Sequence, residues 1–164
     1  MQSKELLLTA NQHAYSLTMP LMEDLRTAQL VPPTAGGNHA HWVVGHLLFS
    51  EGRFHQIMHG GENQFESLQS SFGGQSTPVP DGNGYQPYID LLSALQLQHQ
   101  QLIALLETLT EDDLDQPCRS CPPGFEPFFG TWRHVFLMRS MHWMMHRGQL
   151  ADCRRAAGRE PLLA

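Results

Sequence analysis

The residues with the most obvious chemistry are His142 and His146, in the stretch Met141-His142-Trp143-Met144-Met145-His146-Arg147-Gly148-Gln149. On a helix, two residues four apart lie about 40° apart around the axis and ~6 Å apart along it. Both imidazoles can then reach one point in space, as a divalent metal requires. Wound at helical pitch from Thr131 to Arg155, the segment puts Val135, Met138, His142, Met145, His146, Gln149, Leu150 and Cys153 on one side. Imidazoles within such an apolar stripe must be hydrogen-bonded, charged and paired, or metallated. The plainer alternative is a pair of core histidines bonded to backbone or hydroxyl groups. Two ligands at this spacing are weak evidence, so a third must come from elsewhere.

Placing a third ligand requires the other elements. From Ser3 to about Thr27, Leu6, Leu7, Ala10, Ala14, Leu17, Leu21 and Leu25 recur on a helical stripe. Pro20 predicts a kink there, or a break near Met19. Residues 31–37 are turn-rich, and Asn38 is a good N-cap for a second helix from His39 to about His59, stopped by Gly60-Gly61. Trp42, Val43, His46, Phe49, Phe54 and Ile57 share a face of that helix, with His46 near its centre and Arg53 two turns on. His55 and His59 form a rival pair. However, His55 lies about 180° from His46, and both occupy the last turns, where the helix dipole favours a partly charged imidazole. They read as solvated.

Residues 60–84 are rich in Gly, Ser, Gln, Asn and Pro, with Phe65, Leu68 and Phe72 as the large apolar anchors. A connection this long is usually functional or mobile, and it is expected to border the open side of the site. A third helix spans about Tyr85 to Thr108 and buries Tyr88, Leu92, Leu95, His99, Leu102, Ile103 and Leu106. His99 is thus a satisfied core histidine, a group that supports a ligand, or an extra ligand. Thr131 caps the fourth helix. Four amphipathic helices without strand-like alternation predict an all-α four-helix bundle, one domain over residues 1–164, with no internal repeat.

Composition narrows the function. A formal charge of -6 argues against nucleic acid and membrane surfaces as partners, which need clustered Lys and Arg. No stretch approaches ~18 apolar residues, and the first thirty residues lack a secretory pattern. Three cysteines, an odd number, suit a reducing, cytoplasmic setting.

In a bundle the second and fourth helices can face one another, which brings His46 to His142 and His146. Three neutral imidazoles leave at least one coordination position open, the arrangement of catalytic rather than structural metals. The ligand set suits zinc, nickel or ferrous iron. Gln149 could orient an imidazole. Arg53 or Arg139 could anchor an anionic substrate, or pair with a core-edge carboxylate. Glu51 is the nearest base in sequence but points about 140° from His46. Cys118 and Cys121 could form a redox pair or half a zinc site, though no second pair completes four ligands. Cys153 stands ~10 Å along the helix from His146.

Gly36-Gly37-Asn38-His39-Ala40-His41-Trp42-Val43-Val44-Gly45-His46-Leu47, followed by Ser50-Glu51, resembles the first signature of the DinB-like (DinB/YfiT) superfamily. Residues 72–78 look like the linker that often follows. His142 to Leu150, with Arg155, Gly158 and Pro161, is similar to its closing His-x-x-x-His-Arg-Gly-Gln signature. The Cys-x-x-Cys is not part of this pattern. The resemblance implies a four-helix bundle with a three-histidine metal site at His46, His142 and His146, and frequent homodimers. It also implies metal-dependent hydrolysis or isomerisation, or transfer to a small-molecule substrate that includes low-molecular-weight thiols. The leading expectation is therefore a metal-dependent enzyme, whose ion makes a nucleophile of water, thiol or hydroxyl. The alternative is a non-catalytic binding or stress-response module with a structural metal.

Overall fold

The structure, a computed structural model, describes residues 2–162. Met1, Leu163 and Ala164, the ends of the expected 1–164 domain, lie outside the described residues. In chain order the elements are α1 (Ser3–Leu25), α2 (Ala40–His59), a 3-10 turn (Glu66–Leu68), α3 (Gln69–Phe72), α4 (Tyr88–Thr108), α5 (Glu111–Leu114), α6 (Glu126–Phe129) and α7 (Trp132–Ala156). Among the described residues there is no strand, only an isolated antiparallel bridge between Pro117 and Thr131. The fold is all-α. Its four long helices close a ring of contacts in which α1 and α2 each pack against both α4 and α7. Apolar stripes drive that closure: Met22, Leu25, Val43, Leu47, Leu91, Leu95 and Trp143 meet in one cluster, and Leu7, Phe54, Met58, Leu106 and Phe136 in a second.

Three local expectations change. Pro20 does not break α1, which runs on to Leu25. The proline is exposed, so the carbonyl it leaves unbonded one turn earlier is on the side that water can reach. The cap of α2 is His39 rather than Asn38: its Nδ1 accepts from the Trp42 N–H at 3.3 Å, while its Nε2 bonds the Val79 carbonyl at 2.8 Å. The third long helix begins at Tyr88, just after Pro87, rather than at Tyr85. Thr131 does cap α7, and its N–H donates to His134 Nδ1 at 3.3 Å.

The connection after α2 folds back over that helix, packing α3 and the 3-10 turn against it. Two glycines make the approach possible. A Cβ on Gly45 would stand 2.4 Å from the Phe72 ring, and one on Gly52 1.9 Å from Asn63 Oδ1. Seven residues apart, they lie on nearly the same face of α2. Asn63 uses the gap to donate to the Phe49 carbonyl at 3.2 Å and to accept from the Phe65 N–H at 2.9 Å. Gly45→Ala is therefore expected to destabilise the protein by about 1–2 kcal/mol, because overpacking against a fully buried ring outweighs the gain in helix propensity. Gly148→Ala in α7, exposed and with nothing within 4 Å of the added Cβ, is expected to stabilise by about 0.5–1 kcal/mol. Denaturant midpoints of the two variants should move in opposite directions.

Inside the ring lies a buried polar network. The Arg139 guanidinium, 0% exposed, donates from Nε to Glu51 Oε2 at 2.8 Å, from Nη1 to Asn11 Oδ1 at 2.8 Å and from Nη2 to His99 Nδ1 at 3.2 Å. Trp143 Nε1 donates to the other Glu51 oxygen at 2.7 Å. Tyr15 stacks on the His99 ring at 3.8 Å. Burial, aided by the Arg139 charge, pushes the His99 pKa down to about 3 from its ordinary 6.5. The unfolded chain therefore binds the His99 proton more tightly. The stability this residue contributes is complete above about pH 6.5 and is lost as pH falls from there toward about 3. That loss is expected to be on the order of 3 kcal/mol between about pH 7 and pH 4. Unfolding free energies measured across this range should fall less steeply in His99→Gln, which keeps an acceptor for Arg139 but cannot be protonated. An identical acid limb in both proteins would contradict the assignment.

Candidate metal centre

Helix α2 supplies His46, and α7 supplies His142 and His146. His142 Nε2 stands 3.3 Å from His46 Nε2 and 3.0 Å from His146 Nε2. Two nitrogens each ~2.0–2.1 Å from a tetrahedral ion stand about 3.3 Å apart. One ligand atom of each histidine falls within 4.8 Å of the others, and no further His, Cys, Asp or Glu among the described residues joins the group.

The far side of each ring decides what the near side can do. His46 Nδ1 donates to the Phe72 carbonyl at 2.8 Å, and His146 Nδ1 donates to Gln149 Oε1 at 2.8 Å. With those protons on Nδ1, a neutral imidazole presents a bare Nε2 lone pair to the shared point. Trp42 stacks on His46 at 4.7 Å and 8°, and the Phe54 ring lies edge-on to His142. His142 Nδ1 is buried with no hydrogen-bond partner among the described residues. Burial, with the neighbouring histidines, pushes the His142 pKa down to about 3 and the His146 pKa down to about 4. Burial lowers His46 as well, against the pull of the Phe72 carbonyl. The rings are therefore kept neutral at ordinary pH, which metal ligation needs. Lone pairs converging without a carboxylate or thiolate suit a borderline cation and disfavour calcium or magnesium, which prefer oxygen. The arrangement is compatible with a divalent metal.

The open side of the triad is a pocket of about 290 Å³ at the surface between α2 and α7. Apolar residues dominate its wall: Phe54, Ile57, Met138, Pro122, Phe125 and Phe129. Ser50 and Arg53 are the polar side chains there besides His46 and His142. The rim thus comes from residues 122–129, not from residues 60–84 as expected. That rim is held in place because Cys118 N–H bonds the Gly130 carbonyl, while Arg119 and Ser120 N–H groups satisfy the end carbonyls of α2 at Met58 and Ile57. The earlier connection serves the opposite side, through the Phe72 carbonyl.

The other candidate residues are dispersed. Arg53 is exposed at the pocket mouth beside Gln56. Arg139 and His99 belong to the buried network, and Glu51 is bound there with both oxygens engaged. His55 is exposed, and His59 leans edge-on against Trp132 at 4.7 Å. Neither Cys118 nor Cys121 lines the pocket. Burial pushes the Cys118 thiol up to about 11, the reverse of an activated nucleophile. Cys153 donates to the Asn38 carbonyl at 3.2 Å. Sequence reasoning missed Phe54, Phe125 and Phe129 as pocket walls, and Phe72 as the anchor of His46.

A family model described as the DinB superfamily matches residues 10–150. No curated protein matches the chain. Among the described residues, no helix is long and apolar enough to cross a membrane.

Proposed function

The chain belongs to the DinB superfamily, and from that premise we propose that His46, His142 and His146 hold one zinc, nickel or ferrous ion through Nε2 in a metal-dependent hydrolase or thiol-dependent transferase. The observation that carries this reading is the convergence of His46 and His146 Nε2 on His142 Nε2, at 3.3 and 3.0 Å, with one ligand atom of each histidine within 4.8 Å of the others, while two Nδ1 protons are held by acceptors behind them. When bound, a divalent ion supplies Lewis-acid chemistry, lowering the pKa of a water, thiol or hydroxyl at the open position.

The chain's own residues do the rest. The Phe72 carbonyl and Gln149 fix the tautomers and ring planes of His46 and His146. Phe54, Ile57, Phe125, Phe129 and Met138 exclude water from one side of the pocket and accommodate an apolar body. Arg53 at the mouth presents a positive charge to an anionic group of a small-molecule substrate, a low-molecular-weight thiol included. Metal analysis of protein purified without a His-tag tests the reading. About one equivalent is expected, and less than about a tenth, even after reconstitution, would overturn it.

A second reading has one observation in its favour: no carboxylate lines the pocket, and the nearest in sequence, Glu51, is tied to Arg139 and Trp143. On that reading the metal is structural and the protein a non-catalytic module. Chelation separates the two, because a structural metal contributes its binding free energy to folding. A bundle with an apolar core of its own should keep a cooperative melt after metal removal. Loss of that cooperativity would favour the non-catalytic module.

A further inference from the structure

On the other side of α7 from the histidine pocket, four of the chain's ten Lys and Arg residues converge on one cavity. Arg147, Arg154 and Arg155 come from one face of α7, at spacings of seven and one, and Arg159 comes from the segment after it. Leu21 of α1, Ala151, Pro161 and Leu162 complete the wall. The cavity measures about 200 Å³ and shares no lining residue with the histidine pocket.

Arginines near a helix C-terminus can simply offset the helix dipole from solvent. Burial argues otherwise here. Arg154 is only 8% exposed, its Nη1 is buried with no partner among the described residues, and so is Arg147 Nε. Buried donors of this kind are normally satisfied, and a charged one is costly when it is not. The carboxylates nearby leave a surplus. Asp24 answers Arg154 and Arg159, each at 2.9 Å, and Asp152 pairs with Arg155. Among the described residues, four guanidiniums thus face two carboxylates, a surplus of two positive charges there in a protein whose overall charge is -6.

We infer that this cavity is an anion-binding site for a phosphate group, either free or as the phosphate monoester of a small molecule. A doubly charged oxyanion matches the two surplus charges. Its oxygens accept from guanidinium N–H groups in the geometry arginine favours. The volume is below that of sites for drug-sized ligands, which suits a compact ion, and Leu21, Pro161 and Leu162 border it for a short apolar body. Three of the four arginines lie beyond residues 10–150, the span the family model matches.

Calorimetric titration of inorganic phosphate into the full chain tests this, at fixed ionic strength in chloride, with and without chelator. Saturable one-to-one binding is expected, equal in both conditions. Arg147→Gln and Arg154→Gln should each weaken it about tenfold or more, the loss of one charge-assisted hydrogen bond, while Arg53→Gln at the other pocket leaves it unchanged. Arg147→Gln breaks no ion pair, so it keeps the test open if Arg154→Gln, which releases Asp24, fails to fold. A small phosphate monoester should compete with inorganic phosphate. No saturation up to about 10 mM, binding that disappears with chelator, or affinity unchanged in both arginine variants would overturn the site. Acetate binding as tightly as phosphate would overturn the assignment to phosphate.

Discussion

Arg139→Met is expected to lower stability by about 3–5 kcal/mol, a large part of the ~5–15 kcal/mol typical of a natural domain. The size follows from what remains, not from what is removed. Methionine fills most of the space, but Glu51, its side chain 2% exposed, loses its one cationic partner among the described residues and keeps the Trp143 N–H. Asn11 Oδ1 and His99 Nδ1 also lose their donor, and the guanidinium no longer faces the Trp143 ring at 5.0 Å. In thermal melts this should appear as a midpoint drop of roughly 10 °C or more. Adding Glu51→Gln removes the orphaned charge, so the double variant should recover much of the loss. A double variant no more stable than Arg139→Met would mean that the ion pair is not what holds this part of the core.

That network also explains where the sequence was misleading. The expected inward face of α7 ran through Val135, Met138, His142, Met145, His146, Gln149, Leu150 and Cys153. Val135, His146, Leu150 and Cys153 are buried, but the rest of the buried face is turned to Phe136, Arg139 and Trp143, with Met145 57% exposed. An arginine in mid-stripe looks like a surface residue to any hydrophobic pattern, so its presence rotated the apparent stripe toward the methionines. Nothing local announces that Glu51, 88 residues earlier, neutralises it. The histidines were found despite that error, since a four-residue spacing places two imidazoles together whichever way the helix turns. His142, with His46, borders a surface pocket, while His146 is buried.

The existence and approximate extent of the four long helices were legible because their apolar residues repeat at helical pitch. The docking of the connections was not. Gly45 and Gly52 are each a notch in α2 that a side chain from the following connection fills, and a residue without a side chain carries no pattern that announces it. Phe72 was recognisable as an apolar anchor, but not that its carbonyl holds His46. The wall formed by Phe125 and Phe129 depends on a loop closed by the Pro117–Thr131 bridge, a non-local pairing with no periodic signal.

His142→Ala should have the largest effect of any substitution on metal affinity, with a loss of at least about 100-fold, since it removes the nitrogen to which both other ligands are nearest. His46→Ala and His146→Ala should follow closely, because two imidazoles do not define a three-ligand site. Gln149→Ala should cost about 10–100-fold by freeing the His146 ring, without removing a ligand. His55→Ala and His59→Ala should leave affinity unchanged, because neither reaches the convergence point. His99→Ala is the stringent control. It is buried and neutral like the triad, but its Nδ1 meets Arg139, so it should alter stability and leave metal affinity alone. Competition titrations against a chromogenic chelator would measure all seven variants on one scale. If His99→Ala abolished binding while His46→Ala were silent, the ion would have to sit among α4 and α7 rather than α2 and α7. The Phe72 and Gln149 hydrogen bonds would then be ordinary core satisfaction of two unligated imidazoles.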